Sequence, residues 1–95
     1  MKKGNAILVT TEFRGVFFGY LEKWDAETRT AVLKGARNIV YWSSDVQGFL
    51  GLAASGPSNG CRVGPKVDGL ELQKVTARVP LTDTAVKRFE EITWK

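Results

Sequence analysis

Residues 13–23 read FRGVFFGYLEK, and this stretch constrains the fold more than any other. Placed in a strand, Val16, Phe18 and Tyr20 share one face, with Phe17 and Leu21 on the other. A strand that is apolar on both faces must be covered on both sides or strongly bent. Gly15 and Gly19 interrupt it, and glycine within such a strand usually marks a bend or a bulge. A closed or half-closed barrel needs bending of that kind.

The flanking segments agree with a β-rich fold. Residues 6–11 (AILVTT) form a short apolar run ending in two β-branched threonines, which predicts a strand. Residues 24–28 form a turn, and RTAVLK at 29–34 completes a hairpin with a loop of about five residues. Gly35 interrupts before RNIVYW at 37–42, a further β-prone segment. Leu70-Glu71-Leu72 and residues 75–79 each alternate, but out of phase. A kink or bulge at Gln73-Lys74 would restore consistent burial. Pro80 ends that strand.

Two segments read as helices. Ser44-Asp45-Val46-Gln47 fits a capping box, with Ser44 at the cap and Gln47 reaching back to it. Val46, Phe49, Leu50 and Ala53 follow with helical spacing, and Gly56-Pro57 closes the segment. Gly48 and Gly51 each cost ~1 kcal/mol relative to alanine in a helix. They point instead to close backbone approach, by another strand or by a ligand. Near the end, Thr82 or Asp83 caps TAVKRFEEITW, with Ala85, Phe89 and Ile92 on one stripe that should pack on one face or one open end of the sheet. The expected architecture is α+β, mainly β. It is a small, strongly bent antiparallel sheet or partly open barrel of about five strands, with a short central helix and a C-terminal helix, all within a single domain spanning 1–95.

Composition narrows the chemistry. The chain has no histidine, which excludes histidine-based acid–base catalysis and leaves no expectation of a zinc site or other cofactor. Its one cysteine, Cys61, cannot form an intrachain disulfide, in keeping with a reducing compartment. The apolar run after the two N-terminal lysines stops at Thr10, too short for a signal peptide. No run approaches the length of a membrane span. A cytoplasmic location is expected. Fourteen Lys and Arg against ten Asp and Glu give a net charge of +4. That excess suits an anionic partner, and equally serves solubility alone.

Candidate binding residues concentrate between Arg37 and Lys66. Tyr41-Trp42 closes a strand just before the capped helix. Adjacent strand residues point to opposite faces, so one ring is freer to stack on a base while the other joins the core; both can also serve as core or subunit contacts. The loop GPSNGCRVGPK at 56–66 offers glycines whose N–H groups can converge on an anion. Ser58 and Asn59 add neutral donors, Arg62 a guanidinium fork, and Lys66 a further cation. An ordinary surface loop has the same composition, and no Walker signature is present. Ser44 and Asp45 open a helix N-terminus, which favours negative charge, although capping consumes part of that capacity. Arg37 is a further candidate phosphate contact.

Several motifs resemble a family of small tailed-phage proteins known as a domain of unknown function. They are VTTEFRGVFFGYL at 9–21, Ala36-Arg37 with Val40-Tyr41-Trp42, LAASGP at 52–57, CRVGPKV at 61–67 and VTA at 75–77. The resemblance implies a phage origin and a host-cytoplasmic location. A weaker architectural similarity is to Sm-like small barrels, through Arg14-Gly15, Gly19-Tyr20-Leu21, Asp25 and Ala31-Val32-Leu33. Such barrels often assemble into rings and bind nucleotides or RNA, and residues 37–66 depart from their pattern. By analogy with small phage counter-defence proteins, the expected function is that of a homo-oligomeric sponge. It would sequester a small anionic nucleotide, of the cyclic dinucleotide or cyclic ADP-ribose type, without cleaving it. The ligand set would be Arg37, Tyr41, Trp42, Ser44, Ser58, Asn59, Arg62 and Lys66. The alternative expectation is an Sm-like module binding nucleic acid or a host protein, with no membrane association in either case.

Overall fold

The computed structural model of the chain describes residues 6–11 and 15–93. Expectations involving the two N-terminal lysines, Phe13, Arg14 and Trp94 fall outside those residues. Six strands form an open antiparallel sheet: β1 (Ala6–Thr11), β2 (Val16–Asp25), β3 (Thr30–Tyr41), β4 (Arg62–Val63), β5 (Leu70–Leu72) and β6 (Val75–Pro80). The strand order is β4-β3-β2-β1-β6, with β5 pairing to β3 as well. Two helices complete the fold, α1 (Gly48–Ser55) and α2 (Asp83–Glu91), with a 3-10 turn at Ser44–Val46 before α1.

The double-sided apolar pattern of β2 creates two cores. Val16, Phe18 and Tyr20 join a cluster with Leu8, Ile39, Leu52, Val63 and Phe89, on the face that both helices cover. Phe17 and Leu21 pack on the opposite face with Ile7, Val9, Leu33, Leu72 and Val75. Among the described residues, no helix packs on that second core. It is enclosed by the bend of the sheet itself, as β5 folds along β3 and β6 along β1.

The bend originates in the β2–β3 hairpin. Phe18 pairs with Arg37 but Tyr20 pairs with Lys34, so Gly19 stands opposite two residues. One of those two is Gly35, in a left-handed conformation at φ 57. A bulge with glycine in that conformation sharpens twist without ending the strand. Gly35 therefore does not separate two strands, as its sequence position suggested; β3 runs through it for 12 residues. The hairpin turn is tightened by Asp25, whose Oδ1 accepts from the N–H groups of Glu27 (3.0 Å) and Thr28 (3.4 Å). Trp24 lies inside β2 rather than in the turn. Farther on, Gln73-Lys74 is the point where the chain leaves one partner strand for another, with Lys74 at φ 55. The phase break between Leu72 and Val75 has that cause.

The central helix departs from its expected form. Ser43, not Ser44, precedes the 3-10 turn, and Gln47 adopts φ 64, so the turn and α1 are separate pieces. The predicted stripe is broken accordingly: Leu52 and Ala53 are buried, while Leu50 is 67% exposed. Gly51 makes room for the displaced turn. A Cβ there would lie 1.7 Å from the carbonyl oxygen of Val46, so the turn folds directly against the helix backbone. Gly56 ends α1 at φ 81, as anticipated. Thr82 caps α2 by accepting the Ala85 N–H at 3.1 Å, and Phe89 stacks on Phe18 with ring centroids 4.7 Å apart.

Candidate functional site

The two ends of residues 37–66 meet within one chain. β4 pairs with the end of β3, placing Val63 beside Ile39 and Arg62 beside Tyr41. The Gly64 N–H donates to the Asn38 carbonyl at 2.8 Å. Beyond the strand, the Ser43 and Ser58 hydroxyls lie 3.2 Å apart, and Gly60 fits against Ser43 where a Cβ would come within 2.6 Å of the Ser43 Oγ.

Tyr41 and Arg62 are both exposed, and their backbones pair across β3 and β4 just past a register shift between Ile39 and Tyr41. Trp42 packs against the helix-covered core. An exposed aromatic residue and an exposed arginine are thus paired at the end of the sheet.

Next to this pair, the 56–61 loop is organised by its own hydrogen bonds. Ser58 Oγ donates to Asp45 Oδ1 at 3.2 Å, accepts from the Gly60 N–H at 3.4 Å, and lies 3.7 Å from the Cys61 thiol. Ser43 also donates to Asp45. These serine hydroxyls hold the Asp45 carboxyl below the usual carboxylate range, chiefly through Ser43. The Cys61 N–H is taken by the Ser58 carbonyl at 3.0 Å. The anion cradle expected from successive loop N–H groups is therefore occupied internally at Gly60, Cys61 and Gly64. Ser44 is exposed at the start of the 3-10 turn, with its carbonyl accepting the Gln47 N–H at 3.1 Å. It does not open α1, so the helix-terminus site expected there is not formed by Ser44 and Asp45.

Two expected phosphate contacts are placed elsewhere. Arg37 is 4% exposed and points into the protein. Its Nε donates to the Gly64 carbonyl at 2.6 Å, its Nη1 to those of Phe89 (2.6 Å) and Ile92 (2.7 Å), and its Nη2 to that of Val63 at 3.4 Å. Burial lowers its pKa, and the nearby Glu90 opposes that effect. The guanidinium fork that suits a phosphate here closes the C-terminal end of α2 against β4. Lys66 forms an ion pair with Glu90, and Glu90 also accepts from the Tyr20 hydroxyl. Burial and this hydrogen bond push the Tyr20 pKa up to about 12.

A different arginine, Arg88, lines a cleft. An open cleft of about 440 Å³ lies between the loop and α2, lined by Pro57, Ser58, Asn59, Arg88, Glu91 and Ile92. Arg88 reaches it because α1 ends on Gly56: a Cβ at that position would meet the Arg88 Cβ at 2.8 Å. Nothing in the local pattern of α2 distinguishes Arg88 from its other polar residues, so sequence reasoning had no signal for it. Among the described residues, no group of three His, Cys, Asp or Glu side chains is arranged to hold a metal ion.

Fold and site together define a small α+β domain with an open, bent sheet, an exposed tyrosine and arginine on paired strands, and a cleft between the 57–59 loop and α2. No curated protein and no solved structure matches the sequence. The chain belongs to the family described as Domain of unknown function (DUF6948), which matches residues 4–89.

Proposed function

We propose that this protein binds a small phosphorylated nucleotide without cleaving it, on the surface formed by Tyr41, Asn59, Arg62 and Arg88. The observation that carries the reading is the pair of exposed residues Tyr41 and Arg62 on paired strands, with Arg62 on the strand that follows the loop whose residues 57–59 line the cleft. A base stacked on an exposed aromatic gains ~1–3 kcal/mol, and a guanidinium binds phosphate oxygens through two parallel hydrogen bonds. Glu91, on the cleft wall, can accept from ribose hydroxyls. The cleft volume of about 440 Å³ falls within the ~300–1,000 Å³ of typical small-molecule sites. The motif resemblance to small tailed-phage proteins extends this to a role: a homo-oligomeric sponge in the host cytoplasm that blunts nucleotide immune signalling.

Calorimetry and melting shifts with cyclic dinucleotides and cyclic ADP-ribose isomers test the reading. Binding with unchanged ligand after incubation, lost in Tyr41→Ala and Arg62→Ala, is the expected result. No heat and no shift with any of them would remove it, and turnover of the ligand would replace it with an enzyme.

A further inference from the structure

The two walls of the cleft come from distant parts of the chain. The end of α2 supplies Arg88, Glu91 and Ile92, and the loop supplies residues 57–59 before running through Cys61 into β4. Neither element orders the other through its own backbone pattern. α2 stops at Glu91, and Ile92 leaves the helical path at ψ 139. The last carbonyls of a helix have no partner within it, and that of Phe89 is one of them.

Arg37 joins these ends. Its guanidinium takes two carbonyls from each side: Phe89 (2.6 Å) and Ile92 (2.7 Å) at the end of α2, Gly64 (2.6 Å) and Val63 (3.4 Å) at β4. The side chain is buried and does not line the cleft. A planar fork with donors in fixed directions sets the separation of the backbones that it bonds. Lys66, in the segment after β4, adds a second tie through its ion pair with Glu90.

We infer that Arg37 is the positioning residue of the cleft. By bonding both walls through one guanidinium, it fixes where Arg88 and Glu91 stand relative to Ser58 and Asn59, and so sets affinity without touching the ligand. The role deepens the nucleotide reading and rests on it for the ligand. Lysine keeps the charge but has one nitrogen on a flexible stem, so Arg37→Lys separates position from charge.

Amide hydrogen exchange on the parent chain without ligand tests whether the walls are joined. The Ile92 N–H, bonded to the Arg88 carbonyl at 3.0 Å, and the Gly64 N–H, bonded to the Asn38 carbonyl at 2.8 Å, should open with one common free energy. Both should exchange faster in Arg37→Lys. Calorimetry with cyclic dinucleotides and cyclic ADP-ribose isomers gives the second readout. Arg37→Lys should bind ~10-fold more weakly than the parent chain, while Val9→Ala, destabilised in the other core, keeps parent affinity. Bound nucleotide should slow exchange at Ile92 and Gly64 together. Independent opening of those two amides in the parent chain overturns the inference, whether or not Arg37→Lys folds. Parent affinity in folded Arg37→Lys also overturns it, as does an equal loss in Val9→Ala, which would make the effect one of stability alone. If the parent chain binds none of the nucleotides, the nucleotide reading fails and the exchange result alone decides this one.

Discussion

Arg37 and Arg62 are close in sequence character and opposite in burial. The four carbonyls that receive the Arg37 guanidinium lie on β4, the following residue and the end of α2, so one side chain joins three parts of the chain. Removing a buried donor leaves acceptors unsatisfied at ~1–3 kcal/mol each before relaxation. Arg37→Met should therefore lower stability by about 3 kcal/mol, a melting drop on the order of 12–24 °C for a domain of this size, measurable by circular dichroism. Arg62→Ala, on the exposed edge, should stay within about 0.5 kcal/mol of the parent chain, and under the proposed function it should remove nucleotide binding. Tyr20 gives a second test at this scale. Its folded pKa of about 12 lies above the ordinary 10.0, so the folded state keeps a proton that the unfolded state has lost. Its contribution is whole below about pH 10 and disappears as pH rises toward 12. Urea midpoints should fall across that window in the parent chain, and fall less steeply in Tyr20→Phe.

At the scale of elements, the glycines separate local preference from packing. Gly51 sits inside α1, where propensity alone favours alanine by ~1 kcal/mol. The Val46 carbonyl oxygen occupies the space that its Cβ would need, 1.7 Å away. Gly51→Ala should consequently destabilise by about 2–4 kcal/mol, because the 3-10 turn must move off the helix. A denaturation midpoint at or above that of the parent chain would show that the turn can shift freely. Leu50 has a separate cause, upstream of Gly51. Once Gln47 and Gly48 break the helical path, the residues after them take a new phase, and Leu50 turns outward while Leu52 turns in.

For the whole molecule, antiparallel pairing along β3 brings distant segments to a common surface. One edge of β3 pairs with β2; the other carries β4 and β5, with Ala36 bridged to Val67 between them. The 56–61 loop is thereby returned to the residues that follow Tyr41. Assembly acts at this scale too. Val40, Tyr41, Leu50 and Val67 are apolar or aromatic and more than half exposed. Under the sponge reading, native mass spectrometry should find a homo-oligomer, with nucleotide binding that changes little with salt. A monomer at micromolar concentration would reduce that reading to a simple one-chain binder.

Residues 16–21 determine much of this protein by themselves. Their alternation fixes which side chains enter each core, and Gly19 marks the bend, because strand periodicity and glycine geometry are local properties. The Thr82 cap and the Phe89 stripe of α2 are legible for the same reason. Tertiary structure decided what the polar residues do. A buried arginine and an exposed arginine have the same sequence appearance, and only the carbonyls converging on Arg37 distinguish it from Arg62. Arg88 entered the cleft, and Lys66 turned to Glu90, through packing between segments far apart in the chain. Burial and partner choice are set by the assembled fold, where local sequence carries no record of them.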